Sequence, residues 1–267
     1  MEGGRFEEVL VSADGGVATI TLNRPERHNA LGSRLVRELG EALDGIENSA
    51  DTRVLILTGA GERAFCSGAD LKERAGMNPD ERWAHNRTIN RFADRLARLQ
   101  IPTIAAINGL AFGGGLEITL PCDFRLAAQS ATFALPETSL GIVPGAGGTQ
   151  RLPRLIGPTR AKELILTARR IEAETALQMG LVSRVVPQES LMDEATAWAR
   201  EISANSPLAL AYAKASIDLE ATLEEGLRYE TTAIRATLQS EDYRIGLEAF
   251  ADKRKPEFPP LTAPDMT

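Results

Sequence analysis

Three consecutive glycines, residues 113–115, follow an apolar segment and precede the start of a predicted helix. The apolar segment, residues 102–107, is typical of a strand buried on both faces, and Asn108-Gly109 ends it. Residues 116–120 suit the first turns of a helix. A glycine turn at a helix N-terminus brings unpaired backbone N–H groups and the positive end of the helix dipole close to a ligand. The stretch therefore predicts either an oxyanion site with Glu117 beside it or simply close packing of a helix on a strand.

An apolar strand followed by a glycine-containing turn recurs near residues 54–61, 103–115 and 124–148. This recurrence predicts an α/β fold with a βα-rich core, and it suggests repeating ββα units, although the self-similarity is weak. From about residue 189 the pattern becomes helical. We therefore predict a core over residues 1–200 and a helical C-terminal region over residues 201–267.

Local signals give the individual elements. An Asp-Gly turn predicts a hairpin of residues 8–12 and 17–22. Ser33 is the predicted N-terminal cap of the next helix. Pro121 is expected to bend or stop the helix that carries Glu117. The Ser33 helix is expected to bury Leu35, Leu39, Leu43 and Ile46. Further strands are predicted at 53–58, 123–128 and 132–135, and further helices after Asn78-Pro79, from Pro158, and at 189–203, 207–219, 222–239 and 241–252, with an irregular tail after Lys255.

Composition narrows the function classes. The chain has 267 residues and a formal net charge of −7, so no general basic field attracts nucleic acid or an anionic membrane. The sequence shows no run of eighteen apolar residues and no recognisable signal peptide. Its two cysteines are far apart, which fits a reducing compartment. We therefore expect a cytoplasmic protein. His28 and His85 are the only histidines, too few for a typical zinc or haem site, and no metal is predicted.

Two other glycine-rich segments resemble nucleotide sites only superficially. Residues 59–64 fit the pattern G-x-G-x-x-A, but residues 65–70 are loop-like where a dinucleotide site needs a helix. Residues 141–150 contain no lysine where a phosphate-binding loop needs one. No nucleotide cofactor is therefore predicted.

Three longer motifs, in this order, carry a family resemblance. Residues 64–73 (AFCSGADLKE) and 108–117 (NGLAFGGGLE) resemble the two oxyanion-hole motifs of the enoyl-CoA hydratase/isomerase, or crotonase, superfamily. Pro136-Glu137 and residues 144–152 (PGAGGTQRL) resemble its third block. The likeness extends over nearly the whole chain. It implies a crotonase-like spiral of ββα units with a helical C-terminal trimerisation region, forming a homotrimer or a homohexamer built as a dimer of trimers.

The resemblance also implies roles for particular residues. Glu117 and Glu137 match the two catalytic glutamates of hydratases, and the N–H groups of Ala69 and Gly114 match the oxyanion hole. The N–H of Gly145 matches a group that orients the second glutamate. The substrate is then an acyl-CoA thioester, with coenzyme A as part of the substrate and no further cofactor. The residues that match substrate-binding or coenzyme A-binding positions are Ser67, Gly68, Ala69, Asp70, Leu71, Lys72, Gly114, Gly145, Phe250 and Lys253.

Elementary chemistry is consistent with a hydratase. Water addition to a 2-enoyl thioester needs two N–H donors for the enolate oxygen, one carboxylate to activate water and one carboxyl to protonate C2. Glu137 could instead be a loop carboxylate that caps a neighbouring N–H. An enoyl-CoA isomerase usually keeps only one of the two glutamates, so the presence of both disfavours that reading.

One departure and one further similarity leave alternatives open. Leu135 stands where some hydratases carry a glutamine, and residues 66–75 are similar to the methylglutaconyl-CoA hydratase branch, which includes RNA-binding members. The acyl group is therefore left open. In the RNA-binding members the helix after residues 29–31 is lysine-rich, whereas here Arg34, Arg37, Glu38, Glu41, Asp44 and Glu47 leave it mixed to acidic. We therefore expect no specific RNA binding.

Overall fold

The computed structural model describes residues 6–261, so Met1–Arg5, where a signal peptide was sought, and residues 262–267 of the predicted tail lie outside it. The described part begins with an antiparallel hairpin of β1 (Val9–Asp14) and β2 (Val17–Leu22). Gly15 and Gly16 form its turn, with φ of +55° and +83°. The hairpin prediction is confirmed, but Asp14 belongs to the strand, because a two-residue turn of this kind needs positive φ at both central residues.

The hairpin starts a six-stranded sheet in the order β1-β2-β3-β5-β7-β10. The strands after β2 are parallel to their neighbours, namely β3 (Val54–Gly59), β5 (Thr103–Ile107), β7 (Phe124–Ala128) and β10 (Arg184–Val186). All residues of β3 and β5 are buried, as their continuous apolar sequences predict.

A second sheet has four short strands in the order β4-β6-β8-β9. Its members are β4 (Ala64–Cys66), β6 (Leu110–Phe112), β8 (Thr132–Ala134) and β9 (Ile171–Glu172). The expectation that residues 65–66 are loop was therefore wrong, and the strand at 110–112 was not predicted. Strands of two or three residues are too short to show a period of two in the sequence.

Helices cover the sheets, and most of them occur where the sequence predicts a helix. Residues 6–203 contain α1 (Ser33–Glu47), α2 (Leu71–Ala75), α3 (Pro79–Ala97), α4 (Gly114–Glu117), α5 (Gly148–Ile156), α6 (Pro158–Thr167), α7 (Ala173–Met179) and α8 (Leu191–Ser203). The predicted apolar face of α1 is buried. Ser33 is not its cap, since Gly32 occupies that position and the Glu73 carboxylate accepts a hydrogen bond from Ser33 N at 3.1 Å. α4 ends four residues before Pro121.

The C-terminal region consists of α9 (Pro207–Asp218), α10 (Leu223–Leu238) and α11 (Glu241–Ala251), and residues 255–261 are irregular as predicted. α8 packs on the six-stranded sheet through Leu191, Ala195 and Ala199, so residue 200 falls inside a helix of the core. Large apolar side chains on α10 are exposed, among them Leu223, Leu227 and Ile234. Within residues 6–261, none of the helices combines the length and the apolar character needed to cross a bilayer.

Candidate active site

A cleft lies at the carboxyl ends of three neighbouring strands of the second sheet. β4, β6 and β8 are parallel. Ser67–Ala69 follow β4, the glycine turn and α4 follow β6, and Glu137 follows β8. Because parallel strands end at one edge of a sheet, three segments far apart in sequence meet around this cleft. It contains about 600 Å³ of space between atoms, part of which is open to solvent.

The two predicted oxyanion segments are neighbours in space. Gly68 has φ of +89°, and a Cβ placed on it would lie 2.7 Å from Phe112 O and 3.3 Å from Gly114 N, so only glycine fits there. A Cβ on Gly114 would lie 3.8 Å from Ala69 N. Among residues 6–261 neither the Ala69 N–H nor the Gly114 N–H donates to another group. The two donors predicted for the oxyanion therefore sit side by side at the cleft, as the glycine turn suggested.

Glu117 is held firmly by the turn that precedes α5. It is only 2% exposed, and its Oε1 accepts hydrogen bonds from Ala146 N at 2.7 Å and Gly148 N at 2.8 Å. A Cβ on Gly148 would come within 2.9 Å of the same oxygen, so the close approach needs glycine. Burial raises the pKa of Glu117, and the backbone N–H groups of the turn oppose that rise.

The hydrogen bonding of the Glu137 side chain contrasts with that of Glu117. It is 8% exposed at the start of a short 3-10 helix, and its buried Oε2 has no hydrogen-bond partner among residues 6–261. Burial, and after it the negative charge of Glu117, raises the pKa of Glu137 to about 7. A Cβ on Gly113, whose φ is +52°, would lie 2.9 Å from Glu137 Oε1. Near neutral pH Glu137 is therefore about half protonated, whereas the N–H bonds to Glu117 favour the charged form of that carboxyl.

The turn of residues 144–148 orients the first glutamate, not the second. The expected pairing of the Gly145 N–H with Glu137 is therefore corrected, because the N–H groups of this turn point toward Glu117 on α4. The carbonyl of Gly145 is fixed in turn by Asn86 Nδ2 at 3.0 Å and Asn90 Nδ2 at 2.7 Å. Sequence reasoning missed both asparagines; their four-residue spacing on one face of α3 was the only available signal.

The remaining predicted site residues divide into two groups. Ser67, Gly68, Ala69, Leu71, Gly114 and Gly145 line the cleft together with the two glutamates. Asp70, Lys72, Phe250 and Lys253 do not line it in the single chain. The Asp70 carboxylate caps α2 by accepting from Lys72 N and Glu73 N, and it pairs with Arg24 at 3.2 Å. Phe250 is 84% exposed at the end of α11, and Lys253 is exposed beyond it.

Among residues 6–261 no cluster of three or more metal-ligating side chains occurs. Two buried carboxyl groups beside a pair of free backbone donors instead form a site suited to proton transfer next to a developing oxyanion, on an α/β fold of parallel strands and covering helices. This combination defines an acid–base site of the crotonase type.

Comparison with known proteins agrees with this class. Residues 12–260 match the model of the enoyl-CoA hydratase/isomerase family, and the chain belongs to that family. It is 42% identical over 254 residues to the short-chain-enoyl-CoA hydratase of Clostridium acetobutylicum, covering 94% of this chain and 97% of that one. It is 40% identical over 261 residues to a mitochondrial enoyl-CoA hydratase of Pongo abelii, covering 96% and 89%.

The fold agrees with solved structures as well. The crystal structure of an enoyl-CoA hydratase from Bacillus anthracis superposes with a TM-score of 0.93 at 48% identity, over 95% of this chain and 99% of that chain. The predicted α/β crotonase-like architecture is confirmed by this match.

Proposed function

We propose that this chain is an enoyl-CoA hydratase, which adds water across the C2=C3 bond of a 2-enoyl-CoA thioester. The observation that carries the proposal is the pair of buried glutamates with unlike environments in one cleft beside two free N–H donors. The names of the relatives in Clostridium acetobutylicum and Bacillus anthracis support it.

The geometry supports the following sequence of steps. The N–H groups of Ala69 and Gly114 donate to the thioester oxygen and stabilise the enolate that forms there. The Glu117 carboxylate takes a proton from water, whose oxygen forms a bond to C3. The electron pair of the C2=C3 bond moves into the enolate, and the Glu137 carboxyl then delivers its proton to C2. One water molecule is consumed. Glu117 then holds a proton and Glu137 has lost one, so Glu117 must release a proton and Glu137 must regain one before the next turnover.

The raised pKa of Glu137 suits its role as the acid that protonates C2. A carboxyl with a pKa of about 7 is still substantially protonated near neutral pH, so it is available as the acid. Glu117 receives two N–H bonds on one oxygen, which favour its charged form and leave it as the base. An isomerase needs only one such carboxyl, and the second buried glutamate therefore favours hydration.

Coenzyme A would be held partly outside the cleft. We assign Lys72, Phe250 and Lys253 to it, with Asp70 supporting Lys72 as the cap of α2. Phe250 and Lys253 are exposed on the C-terminal segment, which fits binding after assembly with a neighbouring subunit. The chemistry consists of proton transfers and an enolate, so coenzyme A as part of the substrate suffices and no cofactor is needed.

We further propose assembly as a homotrimer or a dimer of trimers through the C-terminal helices. The exposed apolar side chains of α10, among them Leu223, Leu227 and Ile234, give such an interface. The proposed setting is the reducing cytoplasm, where the free thiols of Cys66 and Cys122 are stable. No nucleic-acid role is proposed, since α1 has a mixed to acidic surface.

The test is loss of the conjugated-enoyl ultraviolet absorbance of crotonyl-CoA and related thioesters. We expect Glu117→Gln and Glu137→Gln each to lower kcat about 10²- to 10⁴-fold. Glu62→Gln, which removes an exposed carboxylate from the loop before β4, is the control and should match the wild type. A wild-type chain that leaves all enoyl-CoA thioesters unchanged would exclude the function, and full activity in both glutamine variants would exclude the two-carboxyl mechanism.

A further inference from the structure

Arg151, in the first turns of α5, contacts the turn that holds Glu117 at two places. Its side chain donates from Nη1 to the Ala146 carbonyl at 3.2 Å, and its main-chain N–H donates to the Gly147 carbonyl at 2.7 Å. The peptide unit of the Gly147 carbonyl carries the Gly148 N–H, which donates to Glu117 at 2.8 Å. Because a peptide unit is planar and rigid, the Arg151 N–H also fixes the direction of that donor.

The Arg151 side chain is held where it crosses the turn. Gly147 has φ of +106°, and a Cβ placed on it would collide with Nη1 and lie 3.2 Å from Cζ of Arg151, so glycine leaves the space for the guanidinium. From α3, Asp94 Oδ1 accepts a hydrogen bond from Nη2 at 2.7 Å. The guanidinium is therefore fixed by a carboxylate on one side and by a carbonyl of the turn on the other.

The charge of Arg151 also acts on the Glu117 carboxyl. Burial raises the pKa of Glu117, the N–H groups of the turn oppose that rise, and the positive charge of Arg151 opposes it further. The other charged groups that interact with Glu117 are Glu137 after β8 and Arg74 on α2, which lie across the cleft. Asp94 offsets part of the Arg151 charge, but its side chain is 54% exposed and is screened more strongly than Glu117.

We propose that Arg151 is a positioning residue for the catalytic base: it fixes the turn of residues 144–148 and, by its charge, keeps Glu117 ionised near neutral pH. This inference rests on the proposed hydratase function. Arg151 does not line the cleft, so it acts through the turn and adds no step to the reaction. The two asparagines of α3 orient the Ala146 N–H, whereas Arg151 orients the second donor and supplies a charge that neutral amides cannot.

The experiment measures kcat/KM for crotonyl-CoA as a function of pH. Protonation of the base lowers kcat/KM on the acidic side of this profile. Arg151→Met removes the cation and its hydrogen bond, so the midpoint of the acidic limb should move up by about 0.5–1 pH unit, and kcat should fall about tenfold. Arg151→Lys keeps the charge and should leave the midpoint near the wild-type value. The matched control is Arg154→Met, exposed on the same helix, which should leave kcat and the midpoint unchanged.

Asp94→Asn is the opposite perturbation. Its amide oxygen can still accept from Arg151, but the charge that offsets the guanidinium is removed, so the acidic limb should move to lower pH. A merely structural role of Arg151 lowers kcat without moving the midpoint. An unmoved midpoint in Arg151→Met, or an equal shift in Arg151→Lys, would overturn the inference while leaving the hydratase proposal intact. If Arg151→Met fails to fold, an acidic limb that does not move to lower pH in Asp94→Asn overturns it instead.

A stability measurement separates this inference from the proposed function, because it needs no activity. Glu117→Gln removes a buried charge, and that charge costs more when Arg151 is absent. The free energy of unfolding gained by Glu117→Gln should therefore grow more between pH 5 and pH 8 in the Arg151→Met background than in the wild-type background. Equal growth in both backgrounds would contradict the role of Arg151. A wild-type chain that hydrates no enoyl-CoA thioester would remove the hydratase proposal, and this comparison would still decide whether Arg151 stabilises the ionised Glu117.

Discussion

Replacing Glu137 by glutamine should make the protein more stable at alkaline pH while it destroys activity. The Glu137 side chain is nearly fully buried, and its Oε2 has no hydrogen-bond partner among residues 6–261. Its pKa is raised from 4.5 to about 7, first by burial and then by the charge of Glu117. Glutamine has nearly the same shape and never ionises, so the pH-dependent part of the change in stability reports the penalty for burying charge.

The sign and size follow from proton linkage. Below pH 4.5 the folded and unfolded states both hold the proton, and the penalty is zero. Between pH 4.5 and about 7 the unfolded chain releases the proton while the folded protein keeps it, so the free energy of unfolding falls as pH rises. Above about pH 7 the loss is complete. The difference between 7 and 4.5, at about 1.36 kcal/mol for each pH unit, gives about 3 kcal/mol.

Urea unfolding followed by circular dichroism at pH 5 and pH 8 measures this directly. Protein concentration must be fixed, since association also stabilises the fold. The free energy of unfolding of Glu137→Gln minus that of the wild type should grow by about 2–3 kcal/mol between the two pH values. Glu62→Gln should show no such growth. A difference that is the same at both pH values would refute the assignment of a raised pKa to Glu137.

Three further variants test other parts of the structure. Asn90→Ala removes the 2.7 Å hydrogen bond to the Gly145 carbonyl and should lower kcat about tenfold, because the turn that holds Glu117 is loosened. The control is Thr88→Ala, at an exposed position of the same helix, which should leave kcat unchanged. Equal kcat values for the two variants would contradict this role of Asn90. Gly113→Ala puts a Cβ 2.9 Å from Glu137 Oε1 at φ of +52° and should lower activity at least about tenfold in the absorbance assay. Leu227→Glu should reduce the mass found by light scattering if α10 forms the subunit interface; an unchanged mass would remove that helix from it.

The sequence predicted those parts of the fold that depend on long apolar patterns. β3, β5 and the buried face of α1 occur where periodicity and continuous hydrophobicity predicted them. The errors are local. The first N–H group of α1 donates to Glu73, forty residues away, and β4 and β6 are strands through pairing within the second sheet, β6 with both β4 and β8. Neither signal is present in the neighbouring sequence.

In the site as well, residues within sequence motifs were predicted, whereas contacts that depend on tertiary packing were not. Glu117 and Glu137, with the two glycine-containing donor segments, were found from motifs. The partner of the turn at 144–148 was assigned wrongly, because which glutamate it faces depends on how α4 and α5 pack. Asn86 and Asn90 carried no motif at all, since their roles arise from where α3 lies against the turn of residues 144–148.

One peptide unit explains why the two glutamates differ. The group between Gly145 and Ala146 accepts two asparagine bonds at its carbonyl and donates its N–H to Glu117. Since a peptide unit is planar and rigid, fixing the oxygen also fixes the direction of the N–H. Two polarising donors at the carbonyl strengthen the N–H as a donor, which favours the charged form of Glu117. Burial is the larger cause of the raised pKa of Glu137, and the charge of Glu117 adds to it, so α3 acts on both carboxyl groups through this one peptide unit.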